Sequence, residues 1–301
     1  MTHDEEMNNY YNGLTKQTDS LSPLVPSMGT PENVNPGGAP TNTATTPSGA
    51  TSQGTIIVYD NLVIVKDNAG NVINAYSRDE MKEDLQKLAV LQQTAYTTGN
   101  KDAQQTAIDF ADSVKNKYKD FFDTTKDSKG GVSVIGLRGF GVGTPCYDTE
   151  KIKGEKNTYN DMLVVLGTNG NLDVFSRVNF EGTTATGTFG DGKKLEGKYP
   201  QIANGIYELD TTTHSGYNAL TLENNGRIPT IGENPQYADR GNPGYASWVH
   251  IHKGGSDWTW SEGCLTLYAP PNDTSRWDRF ISLFPTQSTG TRVGSLKLMT
   301  L

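Results

Sequence analysis

Val249-His250-Ile251-His252-Lys253-Gly254-Gly255, followed by Ser261-Glu262-Gly263-Cys264-Leu265, decides how this chain is read. Two of the four histidines and one of the two cysteines fall within it. Trp248-Val249-His250-Ile251-His252 alternates, so it reads as a strand with residues 248, 250 and 252 on one face. Lys253-Gly254-Gly255 reads as its end, because glycine is the natural residue where a chain turns sharply. Gly263, just before Cys264, lets a substrate approach the backbone with no Cβ in the way. A thiol, an imidazole and close-approach glycines are the parts for nucleophilic acyl transfer. The imidazole takes the thiol proton, and N–H groups beside the cysteine hold the developing oxyanion. Two other readings stand beside this one. Cys264 and the histidines also suit a packed core with no chemistry. Alternatively, His250 and His252 point the same way and bind zinc, with His214 or Cys264 completing the set and Glu262 as base.

Outward from this stretch, the chain from Gly130 reads as strands separated by Gly, Asn and Asp turns. Val132–Gly139, Tyr159–Leu166 and Leu172–Ser176 are strand-like, and Gly167-Thr168-Asn169-Gly170-Asn171 joins the last two as a hairpin. Gly205–Leu209 and the run after His214 follow, with one short helical pattern near Arg276 to Phe284. The pattern predicts a mainly β, sandwich-like domain over 130–301. Before it, residues 55–129 read as a small β-meander and a helical hairpin. Thr55–Val65 and Val72–Tyr76 supply the strands. Ser77 and Glu80 form a capping box ahead of a stripe through Met81, Leu85, Leu88 and Ala89. Thr98-Gly99-Asn100 breaks that helix, and a second stripe runs through Ile108, Ala111, Val114 or Lys115, Tyr118 and Phe121. Residues 1–54 are polar and, from Ser20, rich in Pro, Gly, Ser, Thr and Asn, which predicts a disordered, flexible tether.

Composition narrows the function classes. A net charge of -8 argues against nucleic acid as a main partner, since phosphate binding needs a basic face. No apolar run approaches the ~20 residues of a membrane span. The N-terminus lacks the basic and apolar regions of a conventional signal peptide, so synthesis in the cytoplasm is expected. With only Cys146 and Cys264 there is no disulfide framework, and two free thiols are expected.

His-x-Gly-Gly followed by Ser-x-Gly-Cys-aliphatic resembles the signature of the L,D-transpeptidase (YkuD-like) catalytic domain, in the branch associated with phages and secretion or injection clusters. His252 falls on that family's general base and Cys264 on its nucleophile, while Ser261 and Gly263 match its Ser/Thr and Gly. Glu262 stands where many members carry His, Thr266 stands where many carry Arg or Asn, and the His-to-Cys spacer is short. Weaker landmarks at 134–139, 157–161 and 214–220 precede the motif in order, so the resemblance covers 130–301 and leaves out 1–129.

The resemblance implies an L,D-transpeptidase-like β-sandwich and a substrate among peptidoglycan stem peptides, with no cofactor and no metal. It implies that the backbone N–H groups of Gly263 and Cys264 bind the oxyanion and that the Lys253 carbonyl orients the His252 imidazole. His250, Lys253, Tyr217, Trp260 and Thr266 are then expected around the substrate, with Trp258 a further aromatic there. An enzyme of the cell wall or periplasm made without a signal peptide is expected to travel with a phage particle, a contractile injection system or a secretion apparatus, and residues 1–129 are the expected contact with it. The alternatives are a catalytically vestigial wall-binding or injection-apparatus component, and a zinc-dependent peptidoglycan hydrolase.

Overall fold

The computed structural model describes residues 42–43, 54–142, 159–180, 201–223, 228–231, 245–255, 264–285 and 288–301. All belong to one compact unit, Ala39–Leu301. Most of the tether expected over 1–54 lies outside the described residues. Asn42–Thr43 (β1), read as part of it, instead pairs antiparallel with Val58 and Ile57. Thr55–Val58 (β2), Leu62–Lys66 (β3) and Val72–Ser77 (β4) form the expected meander.

Ser77 caps the helix Arg78–Thr98 (α1), its hydroxyl accepting from the Glu80 N–H. Gly99 closes that helix in the left-handed region at φ 62°, where a Cβ is costly. Asn100 caps the next helix, Lys101–Lys117 (α2). The second stripe is therefore shorter than the pattern suggests. Tyr118 breaks it before Lys119–Thr125 (α3), and Ile108 points to solvent while Ala107, Ala111 and Val114 are buried.

The chain then enters Val132–Arg138 (β5), Asp161–Leu166 (β6), Leu172–Asn179 (β7), Gln201–Ile202 (β8), Gly205–His214 (β9) and Tyr217–Glu223 (β10). Ile228–Ile231 (β11), Tyr245–Ala246 (β12), His250–Gly254 (β13) and Leu265–Tyr268 (β14) follow. The helix Ser275–Ile281 (α4) and Arg292–Thr300 (β15) complete the order. The protein is mainly β, but its large sheet is not a two-layer sandwich. Eight strands close into a barrel in the order β10-β13-β14-β7-β6-β5-β15-β9. Closure depends on β15, which lies parallel to β5 on one side and antiparallel to β9 on the other.

Strand alternation divides the barrel's side chains into two cores. All eight strands contribute to one, including Val134, Leu163, Phe175, Leu209, Ile251 and Leu296, so it fills the interior. The second draws only on β5, β6, β7 and β15, and packs their outer side chains against the meander and helices. Residues 55–129 thus share a core with the barrel. The outer face of β9, β10, β13 and β14 takes no part in that second core.

Lys297 sits in the covered layer, 7% exposed, with its Nζ 3.4 Å from the Thr124 carbonyl. Burial alone pulls its pKa down to about 8. The cost of holding this cation is present at neutral pH and disappears as pH rises from about 8 to the unfolded value of 10.5. Lys297→Met is expected to add ~2 kcal/mol at pH 7 and progressively less above pH 8. Urea unfolding at several pH values measures this, and a destabilised variant at pH 7 contradicts it.

Candidate active site

On β13 and β14, Ile251, Leu265 and Leu267 fill the barrel. Alternation therefore turns His250, His252, Cys264 and Thr266 outward together, on the face the helical layer leaves open. The parallel register sets His252 beside Thr266, and the next pair sets Thr266 beside Asn179 of β7. His252, Thr266 and Asn179 form a buried polar row across three strands, each at most 1% exposed. From the other side, β9 and β10 meet at a two-residue turn, Ser215-Gly216, with φ of 49° and 84°. Two successive positive φ values mark the tight hairpin turn that matches strand twist, and they place His214 directly opposite Tyr217.

The three imidazoles are in contact. The His214 ring stacks on His252 at 4.3 Å with 14° between planes, and its Nδ1 lies 3.1 Å from Nδ1 of His250. Burial lowers the pKa of all three, that of His252 to about 4. They are therefore neutral at physiological pH, and in the His214–His250 contact one Nδ1 donates and the other accepts. His252 Nδ1 lies 2.9 Å from the Lys253 carbonyl. A carbonyl only accepts, so Nδ1 carries the proton and Nε2 keeps its lone pair. The Tyr217 hydroxyl lies 3.5 Å from the same Nδ1, too far for a strong bond. Burial, and then the neighbouring Cys264, push the tyrosine's pKa up to about 12, so it stays protonated. The Lys253 ammonium lies 4.3 Å over the Tyr217 ring.

Cys264 is partly exposed at the start of β14. Its Sγ accepts from the His250 backbone N–H at 3.4 Å and lies 3.8 Å from the Trp248 carbonyl. An N–H aimed at sulfur favours negative charge there. Trp248 does not extend the strand, which begins at His250 and runs through Gly254. It adopts φ 58° and is 85% exposed. The Thr266 hydroxyl is buried, and among the described residues it has no hydrogen-bond partner.

The structure thus brings together Cys264, His252, His250, Lys253, Tyr217 and Thr266, all expected at the site. Ser261, Gly263, Trp258, Trp260 and Cys146 lie outside the described residues. The sequence offers His214 as a candidate zinc ligand and at the head of the weak landmark 214–220, and it does not point to Asn179. The His214–Tyr217 hairpin was the available signal for His214. Asn179 carries none, because only the barrel register places it beside Thr266. Among the described residues no group of three His, Cys, Asp or Glu is arranged to hold a metal ion. No described helix is long and apolar enough to cross a membrane. Compared with family models, curated proteins and solved structures, the chain has no significant match.

Proposed function

We propose that this protein is a cysteine acyltransferase or peptidase of the L,D-transpeptidase type acting on peptidoglycan stem peptides. The observation that carries the proposal is the pinned tautomer of His252, whose free Nε2 belongs to a ring on the same sheet face as Cys264. In the first step Cys264 gives its proton to Nε2 and its sulfur attacks the peptide carbonyl carbon. Collapse of the tetrahedral intermediate breaks the C–N bond, the imidazolium protonates the departing amine, and a thioester remains. An acceptor amine or a water, losing its proton to Nε2, then cleaves the thioester and regenerates the thiol. The buried Thr266 hydroxyl, without a hydrogen-bond partner among the described residues, lies beside His252 as a polar group in the same row.

The wall substrate and the L,D-transpeptidase-like assignment rest on the Ser261–Cys264 and His252–Gly255 resemblance. Carriage to the wall by a phage, contractile injection or secretion apparatus, through residues 1–129, belongs to the same reading. Mass spectrometry of purified peptidoglycan is the test. The wild type is expected to produce cross-linked or trimmed stem peptides, and Cys264→Ala none. A carbapenem is expected to add covalently to Cys264 and to leave Cys146 unmodified. Identical peptide profiles for the two proteins, or equal labelling of both thiols, overturn the proposal.

A further inference from the structure

His214 is held by its neighbours in a fixed pose. The Ser215-Gly216 turn sets it directly opposite Tyr217, whose ring meets it edge-on at 5.8 Å. That tyrosine is itself fixed, with the Lys253 ammonium 4.3 Å over its ring and the Trp277 ring edge-on at 6.0 Å. The His250 ring lies edge-on to His214 at 5.3 Å, and the two Nδ1 atoms are 3.1 Å apart. Held in this way, His214 lies flat on His252, 4.3 Å away and 14° from parallel.

Proton transfer from Cys264 places a positive charge on a ring that is 1% exposed, where little water reaches to solvate it. A carboxylate often stabilises such a charge, but among the described residues none acts on His252. The titratable groups on this face are His214, His250, Tyr217 and Cys264, with the Lys253 ammonium over the tyrosine. Of these only Cys264 becomes an anion, and its charge leaves the sulfur as the C–S bond forms. The Lys253 carbonyl supports the imidazolium in the ring plane, through Nδ1. The face of the ring is left to His214. An aromatic face is electron-rich and attracts a cation, most strongly where water is excluded. That attraction is absent between two neutral rings and appears only as His252 takes the proton. An interaction stronger in the transition state than before it speeds the chemical step. Burial keeps His214 itself neutral, so it meets the imidazolium as a ring face and not as a second cation.

We propose that His214 is a positioning residue of the base: its neutral ring, laid flat on His252, supplies the face against which the imidazolium forms while Cys264 is acylated. His214 exchanges no proton, because the Cys264 proton passes to His252 Nε2 and on to the departing amine. This role rests on the cysteine-enzyme reading and adds to it a residue that acts on the base alone.

The test compares substitutions in the full-length protein by the rate at which a carbapenem acylates Cys264, read by intact mass. His214→Phe and His214→Leu both lose the Nδ1 contact with His250 and both are apolar, so the ring face is what separates them. The leucine variant is expected to react at least ~10-fold more slowly than the phenylalanine variant. His214→Gln keeps a polar group opposite His250 without a ring. It is expected to match the leucine variant, and it decides the question if a thermal melt shows the leucine variant unfolded. The chain has four histidines, so nitrogen NMR of the imidazoles resolves His252, whose Nδ1–H tautomer is expected in every folded variant. Equal rates with and without the ring, or loss of that tautomer in the slow variants, overturn the role of His214 while the nucleophile stands. A wild type that the carbapenem does not acylate overturns the cysteine-enzyme reading and this role with it.

Discussion

His252→Ala is expected to slow acylation of Cys264 by a carbapenem at least ~100-fold, the low end of what a positioned general base supplies. The loss has a structural cause. In the wild type the Lys253 carbonyl fixes the proton on Nδ1, so no ring flip or tautomer change precedes proton transfer to Nε2. Without the imidazole the Sγ keeps its contact with the His250 N–H but loses the ring whose tautomer the Lys253 carbonyl fixes for taking its proton. His214→Phe preserves an aromatic ring against His252 while removing the Nδ1 contact with His250, and is expected to cost less than ~10-fold, as orientation weakens and the base remains. Because burial holds His252 at about 4, its base form persists through mild acid, and the wild-type acid limb is expected near pH 4 rather than near 6.5. Stopped-flow acylation across pH, with intact-mass detection, measures all three effects. An acid limb at 6.5, or a His252→Ala rate close to wild type, removes His252 from the base role.

Local patterns in the chain were legible where they decide local structure. The Ser77 cap, the Gly99 stop and the Met81–Leu85–Leu88 stripe each depend on neighbours within a helical turn, and each appears in the structure. The β-rich character after Gly130 was equally plain. Barrel closure was not, because it depends on β15 pairing with β5 and β9, and no local alternation announces partners that distant. The exposed Ile108 shows the same limit from the helical side. Only the first position of its stripe is misplaced: Ala107 rather than Ile108 heads the buried row that Ala111, Val114, Tyr118 and Phe121 continue. At the site, His250, His252 and Cys264 could be grouped from sequence because they are close along the chain. Asn179 reaches the same outer face only through the β7–β14 register, so sequence spacing held no trace of it. Trp248 departed from its strand because its backbone turns into the left-handed region just before His250, a choice that favours glycine and that a tryptophan does not advertise.

Stability is expected to fall steeply between pH 6.5 and 4, well above the range in which most acid unfolding begins. The sign follows from the histidines. Their folded pKa values lie below the unfolded 6.5, so in this window the unfolded chain binds more protons and stability decreases as pH falls. The stabilisation is complete above pH 6.5 and is lost progressively down to the folded value, about 4 for His252. That residue is 1% exposed, so solvent does little to screen the cost of charging it, and its share alone is about 3 kcal/mol. His214 and His250 act in the same direction, and the three rings in contact repel one another as each becomes charged. Carboxylates do not imitate this curve. Asp127 and Glu208 are held low by Arg292 and Lys129, so their contribution fades at more acid pH, and the raised Asp173 and Asp210 act with opposite sign. The difference between wild type and His252→Phe isolates the effect, because every carboxylate cancels in the subtraction. Urea unfolding free energies from pH 7.5 to 4 are expected to show a slope in the wild type that is less than half as steep in His252→Phe. Parallel curves for the two proteins, whatever their absolute stabilities, mean that His252 is not buried as a neutral imidazole.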